Sequence, residues 1–284
     1  MKLKLIGLSA FLLALAAGCV TLAPAKVLNA TIPKSGFELH EQAYGNHARQ
    51  RMDIYLPKQK HAGKAPILFV FGGAWRSGSK EDFLFVAEAL TALGHPVIIP
   101  NYRLYPTVKY PEIIEDVAQA LAHLEMNATS LLGEPLQPFI LMGHSSGAHA
   151  AALLATKPPY LQKFKVKTPV KALIGLAGPY DLPLELTEVA QVFGQAKPQD
   201  VNPTLNLPLY VPPTLLLHGE VDERVLPKHS RRFAEALQQA KVSVELHIYP
   251  NVEHVRVLAS LAKPLRGLNP SYRDIVTFLA KHQL

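Results

Sequence analysis

Short apolar runs, each bounded by turn residues and most followed by a stretch of helical spacing, recur along this chain and leave it few ways to fold. Ile67–Phe71, Val97–Pro100, Phe139–Met142, Val170–Leu176, Thr214–Leu217 and Ser243–Tyr249 are such runs, and most do not alternate polar with apolar. Strands of that composition are buried on both faces, as in a parallel sheet covered by helices. Helical spacing fills the intervals: Glu81–Leu93 stopped by Gly94, Glu112–Glu125 introduced by Pro111, Ala148–Ala155, Pro227–Ala240, and Tyr272 to the end. Ahead of them, two segments rich in strand formers between Phe37 and Leu56 flank the turn pair Gly45-Asn46 and predict an antiparallel hairpin. The expected fold class is α/β: a mostly parallel central sheet flanked by helices, with an antiparallel N-terminal hairpin. A chain of 284 residues, 49% of them apolar, buries a sizeable core, and one domain over 37–284 is the expectation. Segment 182–213 breaks the rhythm with Pro183, Pro198, Pro203, Pro208, Pro212 and Pro213, and is either a lid over a site or an inert excursion.

The chain opens M-K-L-K-L-I-G-L-S-A-F-L-L-A-L-A-A-G-C. A basic start, an apolar run and a small-residue zone predict an export signal over 1–18. The run from Leu5 to Ala17 is shorter than the roughly 20 residues that span a bilayer. The segment L-A-A-G-C resembles a bacterial lipobox, although Ala16 stands where a larger aliphatic residue is usual. That resemblance implies lipidation of Cys19 and a location in the bacterial cell envelope, membrane-anchored and facing the periplasm, while the stretch 19–36, with Pro24, Pro33 and Gly36 and no strong periodicity, reads as a tether. Ordinary cleavage after Ala23-Pro24-Ala25 is the other reading. Cys19 is the single cysteine, so no intramolecular disulfide is available. Lys2 and Lys4 supply part of the net charge of +7, and the remainder is mild. The cluster K-F-K-V-K from Lys163 to Lys167 lacks any base-recognition motif, so it reads as a solvated surface and no nucleic-acid partner is expected.

The chemistry starts from L-M-G-H-S-S-G, Leu141 to Gly147. A G-x-S-x-G spacing is weak alone, but here a buried strand precedes it and a small-residue helix follows. Such a turn lifts one hydroxyl above the carboxyl end of the sheet, and the spacing selects Ser145. Ser146 follows it at a helix N-terminus, where its backbone N–H can donate to a developing oxyanion. A serine nucleophile needs a base, normally histidine, and a carboxylate to fix the tautomer of that histidine. His229 falls at a predicted helix start, His247 within a strand and His282 near the chain end, whereas His254 in Y-P-N-V-E-H follows a strand at the required edge. Asp222 in L-L-L-H-G-E-V-D holds the equivalent place after the preceding strand. Asp181 in G-L-A-G-P-Y-D is the second candidate, Glu220 and Glu223 read as solvated, and Asp274 belongs to the last helix. In F-G-G-A-W the glycines let backbone approach an oxygen closely, making Gly73 and Ala74 the other oxyanion donors.

Taken together, F-G-G-A-W, N-Y-R-L with Asp116 downstream, G-H-S-S-G, L-L-L-H-G-E-V-D and Y-P-N-V-E-H resemble the esterase branch of the α/β-hydrolase superfamily. The likeness lies near hormone-sensitive-lipase-like carboxylesterases, feruloyl-esterase-like proteins and kynurenine formamidases, and covers about residue 38 to the end. It implies Ser145 as nucleophile, Asp222 as acid, His254 as base, and Arg103 as a structural partner of Asp116. These relatives usually begin the oxyanion loop with histidine, where Phe71 stands here. The implied activity is hydrolysis of a small-molecule carboxylic ester, with no metal or cofactor required. An arylformamidase or amidase on the same triad is the near alternative. A lipid-anchored binding or folding-helper protein without turnover is the alternative from another class.

Overall fold

The computed structural model describes residues 28–59 and 63–284. The export signal and Cys19 lie outside the described residues. Of the expected tether, Leu28 and Ile32 are buried in the core, and the Asn29 amide donates to the Glu81 carbonyl at 2.8 Å. Residues 28–32 are therefore docked against the domain, because two apolar side chains spaced one helical turn apart find a hydrophobic surface there.

The strands are β1 (Phe37–Ala43), β2 (Arg51–Pro57), β3 (Ile67–Val70), β4 (Val97–Pro100), β5 (Phe139–His144), β6 (Val170–Leu176), β7 (Thr214–Gly219) and β8 (Val244–Tyr249). They form one sheet in the order β1-β2-β4-β3-β5-β6-β7-β8. β1 and β2 pair antiparallel from Phe37↔Pro57 to Ala43↔Arg51, and β2 runs antiparallel to β4; every other pairing is parallel. The hairpin expected around Gly45-Asn46 is present, but residues 44–50 form a longer connection. Gln50 accounts for this, since its side chain turns inward to hydrogen-bond Asp116 at 2.9 Å and receives the His47 N–H.

Helices α1 (Leu84–Thr91), α2 (Glu112–Leu132), α3 (Ser146–Thr156), α4 (Pro159–Lys163), α5 (Thr187–Phe193), α6 (Pro198–Val201), α7 (Lys228–Gln239), α8 (Arg256–Ala259) and α9 (Ser271–Lys281) connect the strands. α2 outruns its expected end at Glu125 and stops at Gly133, whose φ of +87° is the left-handed conformation that ends helices. α3 is buried on every side, and its alanines let it lie close to the sheet. By contrast α7 buries a single stripe, with Phe233, Ala234 and Leu237 inward. β3, β5 and β7 are buried along their whole length, as non-alternating apolar runs require; each fully buried Ile, Leu or Phe contributes about 1.5–3 kcal/mol. Segment 182–213 holds α5 and α6. It docks through Phe193, whose ring meets those of Trp75 and His149 edge-on at 4.9 and 5.5 Å.

Strand order reverses at β3, which lies between β4 and β5, so the chain leaves β3 in one direction and returns on its other side at β5. The crevice between those carboxyl ends is where α/β sheets place their ligands. One ion pair braces the approach to it. Asp116 is fully buried and accepts from the Arg103 guanidinium at 2.6–3.1 Å, from the Arg103 backbone N–H at 2.8 Å and from Gln50. Replacing one partner leaves a buried charge short of donors. We expect Arg103→Met to lower unfolding free energy by about 3 kcal/mol in urea titration, with an unchanged m-value.

Candidate active site

The G-x-S-x-G turn is made possible by what its glycines lack. A Cβ on Gly147 would overlap the Val70 and Phe71 carbonyl oxygens, and one on Gly143 would overlap the Gly147 carbonyl. With both absent, α3 starts directly against the ends of β3 and β5. Ser145, between them, has φ 55° and ψ −127°, a conformation that costs a non-glycine residue about 1–3 kcal/mol. Three backbone hydrogen bonds hold it there: Ser145 N–H to Leu176 O at 2.9 Å, and Ala148 and His149 N–H to Ser145 O at 2.9 and 3.2 Å.

The expected partners converge on this serine. The Ser145 hydroxyl lies 2.9 Å from His254 Nε2, and His254 Nδ1 lies 2.7 Å from Asp222 Oδ2. A carboxylate only accepts, so His254 carries its proton on Nδ1 and leaves Nε2 free to receive the serine proton. Asp222 is buried, and its Oδ1 accepts the backbone N–H groups of Arg224 and Val225 at 3.0 and 2.9 Å. Burial alone pushes the Asp222 carboxyl upward. Hydrogen bonds from His218 and His254, with the charge of His254, outweigh that and hold it well below the usual carboxylate range.

The other candidates are engaged elsewhere. Asp181 pairs with Arg232, and its backbone N–H meets His229 Nδ1 at 3.3 Å. His247 lies 3.9 Å from Glu245 and from Asp274, and His282 lies 3.9 Å from Glu245. Glu220 and Glu223 are exposed, while Asp274 accepts from the Tyr249 hydroxyl at 2.8 Å.

Gly73, Ala74 and Trp75 follow β3 with successive positive φ values of 133°, 51° and 61°. The Gly73 carbonyl is taken by the N–H groups of Arg76 and Ser77, and the Trp75 carbonyl by that of Tyr105. Among the described residues, the N–H groups of Gly73 and Ala74 donate to no other backbone carbonyl. Ser146, at the first position of α3, has no intrahelical partner for its own N–H. Its side chain adds a contact not evident from sequence, since Ser146 Oγ stands 3.4 Å from the Trp75 N–H. Phe71 is buried in an aromatic stack, with ring centroids 5.3 Å from Phe83 and 4.7 Å from Tyr102. The Tyr102 hydroxyl donates to the Phe71 carbonyl at 2.8 Å, so the loop is anchored without the usual histidine.

Two further histidines belong to the site and escaped sequence reasoning. His144, beside Ser145, donates its Nε2–H to the His254 backbone carbonyl at 3.1 Å and ties the histidine loop to β5. His218, at the end of β7, lies 3.2 Å from Asp222 Oδ2. Both sit inside motifs already quoted, G-H-S-S-G and L-H-G-E-V-D; the signal was a polar residue at the end of a buried run.

The BD-FAE family model matches residues 52–237. The chain belongs to the BD-FAE family. Among curated proteins, this family member is 29% identical over 248 residues to a protein named probable isoprenylcysteine alpha-carbonyl methylesterase from Arabidopsis thaliana, covering 79% of this chain and 58% of that one. It is 24% identical over 229 residues to a kynurenine formamidase of Salmo salar, covering 77% of this chain and 75% of that one. The chain spans between 54% and 60% of the length of the curated relatives that match it first. Among solved structures, Thermogutta terrifontis esterase 2 superposes with a TM-score of 0.72 at 22% identity, covering 88% of this chain and 96% of that one. The fold is that of the α/β-hydrolases, as the resemblance implied.

Burial holds several histidines of this fold neutral. It lowers His144 to about 3, with the charge of His254 adding to the effect, and lowers His95, His149 and His229 to about 4, from an ordinary 6.5. In the unfolded chain each takes up a proton near pH 6.5, and in the folded chain only near pH 3 or 4. Between those values unfolding binds protons, so stability is full above about pH 6.5 and falls on acidification by about 1.4 kcal/mol per pH unit for each histidine. Urea midpoints measured from about pH 7 down to about pH 5 are expected to fall steeply. A flat series would contradict the burial of these rings as neutral groups.

Proposed function

We propose that this chain is a serine hydrolase that cleaves carboxylic esters through an acyl-enzyme on Ser145. The observation that carries the proposal is the unbroken line from Ser145 Oγ to His254 Nε2 at 2.9 Å and from His254 Nδ1 to Asp222 at 2.7 Å. In this mechanism His254 takes the hydroxyl proton as Ser145 attacks the ester carbonyl, and Asp222, held ionised, stabilises the imidazolium that forms. The N–H groups of Gly73, Ala74 and Ser146 receive the oxyanion of the tetrahedral intermediate. Collapse expels the alcohol, which takes its proton from His254, and a water molecule activated by the same histidine releases the acid. Esterase names among the relatives support the ester reading. A formamidase is the second reading, favoured by the Salmo salar relative and by a triad that treats esters and activated amides alike. A non-catalytic binding protein would have no need of a strained Ser145 aligned with a base.

The N-terminal segment extends the proposal: cleavage before Cys19 and its lipidation would tether the enzyme to a membrane of the bacterial envelope, facing the periplasm. Metabolic labelling with palmitate, lost in Cys19→Ala, is the expected result. An exported but unlabelled protein would restore ordinary cleavage.

A fluorophosphonate probe is expected to label the wild-type chain at Ser145 and to leave Ser145→Ala unlabelled; a folded but unlabelled wild type sinks the enzyme reading. Asp222→Asn should fold and lose kcat by about 10⁴-fold, since an amide cannot hold His254 in the working tautomer. Short and long acyl esters assayed beside N-formylkynurenine decide between ester and formamide. Turnover of the formamide alone would replace the leading reading by the second.

A further inference from the structure

The mechanism above gives His218 no task, yet its ring is fully buried and touches the catalytic acid. Its surroundings place a hydrogen on Nε2. Nε2 lies 2.7 Å from the Val225 carbonyl, which has no proton to give, so Nε2 carries a hydrogen. Nε2 also stands 3.2 Å from Asp222 Oδ2. On the other side of the ring, Nδ1 lies 2.7 Å from the Ser230 hydroxyl in the first turn of α7. The ring is thus an Nε2–H donor clamped between α7 and the loop after β7.

We propose that His218 is a positioning residue for the acid, sharing Asp222 Oδ2 with His254 and so setting how strongly that carboxylate holds the His254 imidazolium. The proposal rests on the Ser145–His254–Asp222 reading. Asp222 Oδ1 is occupied by two backbone N–H groups, leaving Oδ2 to face both histidines. A second donor on Oδ2 has two effects. It stops the carboxylate from rotating about its Cβ–Cγ bond, which keeps Oδ2 on the His254 side. It also draws off part of the negative charge, so the imidazolium is stabilised less than by a carboxylate with one donor there. The titratable groups around His218 are Asp222 on its own loop, His254 after β8, His144 at the end of β5 and His229 on α7. With His144 and His229 held neutral by burial, Asp222 and His254 are the pair on which the donor acts.

The test compares three single variants of the full chain, each normalised to the fraction that a fluorophosphonate probe labels. Ester hydrolysis is followed with p-nitrophenyl acetate as a function of pH. His218→Leu removes the donor, and kcat per labelled site is expected to fall about 10- to 100-fold, the loss expected for one hydrogen bond to a charged group, with KM unchanged. Its acid limb of kcat/KM should move to higher pH, because His254 becomes more basic beside a carboxylate with one donor fewer. His218→Gln, whose amide N–H reaches the place of Nε2, is expected to keep most of kcat and the wild-type limb. Ser230→Ala removes the contact that clamps Nδ1 while the Val225 carbonyl still holds Nε2, and should shift the limb in the same direction by less; it carries the test if His218→Leu fails to fold. Wild-type kcat and an unmoved limb in His218→Leu, or in Ser230→Ala when that variant decides, would overturn the role of His218. A wild type that neither labels nor hydrolyses the ester would instead sink the serine hydrolase reading, and this one with it.

Discussion

The carboxyl edge of the sheet is organised by one close approach, that of the first turn of α3 to the carbonyl oxygens ending β3. Gly147 permits it by having no side chain, and the strain appears one step earlier, at Ser145. Because the neighbouring strand β6 takes the Ser145 N–H, the bend is locked by the sheet itself. Every other element of the site is placed relative to that bend: the loop after β3 lies against Ser146, and the loops after β7 and β8 bring Asp222 and His254 over it. A residue in so unfavourable a conformation persists only where its surroundings over-determine it.

Much of this was legible in the sequence, and the reasons differ between elements. The parallel strands announced themselves because burial on both faces removes every polar residue from β3 and β4, and Val170–Leu176 has the boundaries read from its apolar run. Ser145, Asp222 and His254 were singled out because each follows a strand at one edge of the sheet and few residues do, and the structure brings the three within hydrogen-bonding distance. What escaped was set by contacts across the chain. The inward turn of Gln50 toward Asp116, the docking of Leu28 and Ile32, and the extension of α2 to Gly133 depend on partners or caps that local pattern leaves ambiguous. His144 and His218 escaped for a different reason. Both stand where a strand ends, and nothing in their spacing tells whether a ring points to solvent or into the site.

These two rings give the site a polar frame. His144 grips the backbone of the histidine loop from one side, and His218 reaches the acid from the other. A neutral ring suits the place of His144, since a second cation beside His254 would oppose protonation of that ring. Burial keeps His144 neutral, and the Ser230 hydroxyl anchors His218 from its other nitrogen.

The stack of Phe71 on Tyr102 and Phe83 carries a different consequence. A loop that begins with histidine inherits a group that titrates near neutrality, and its anchoring hydrogen bond changes with acidity. Here the anchor is a phenol hydroxyl whose ionisation burial pushes far above the ordinary range, held against a backbone carbonyl between apolar rings. The anchor of the loop after β3 is thereby uncoupled from proton concentration near neutrality, and acid that protonates the buried histidines of this fold leaves the phenol as it was.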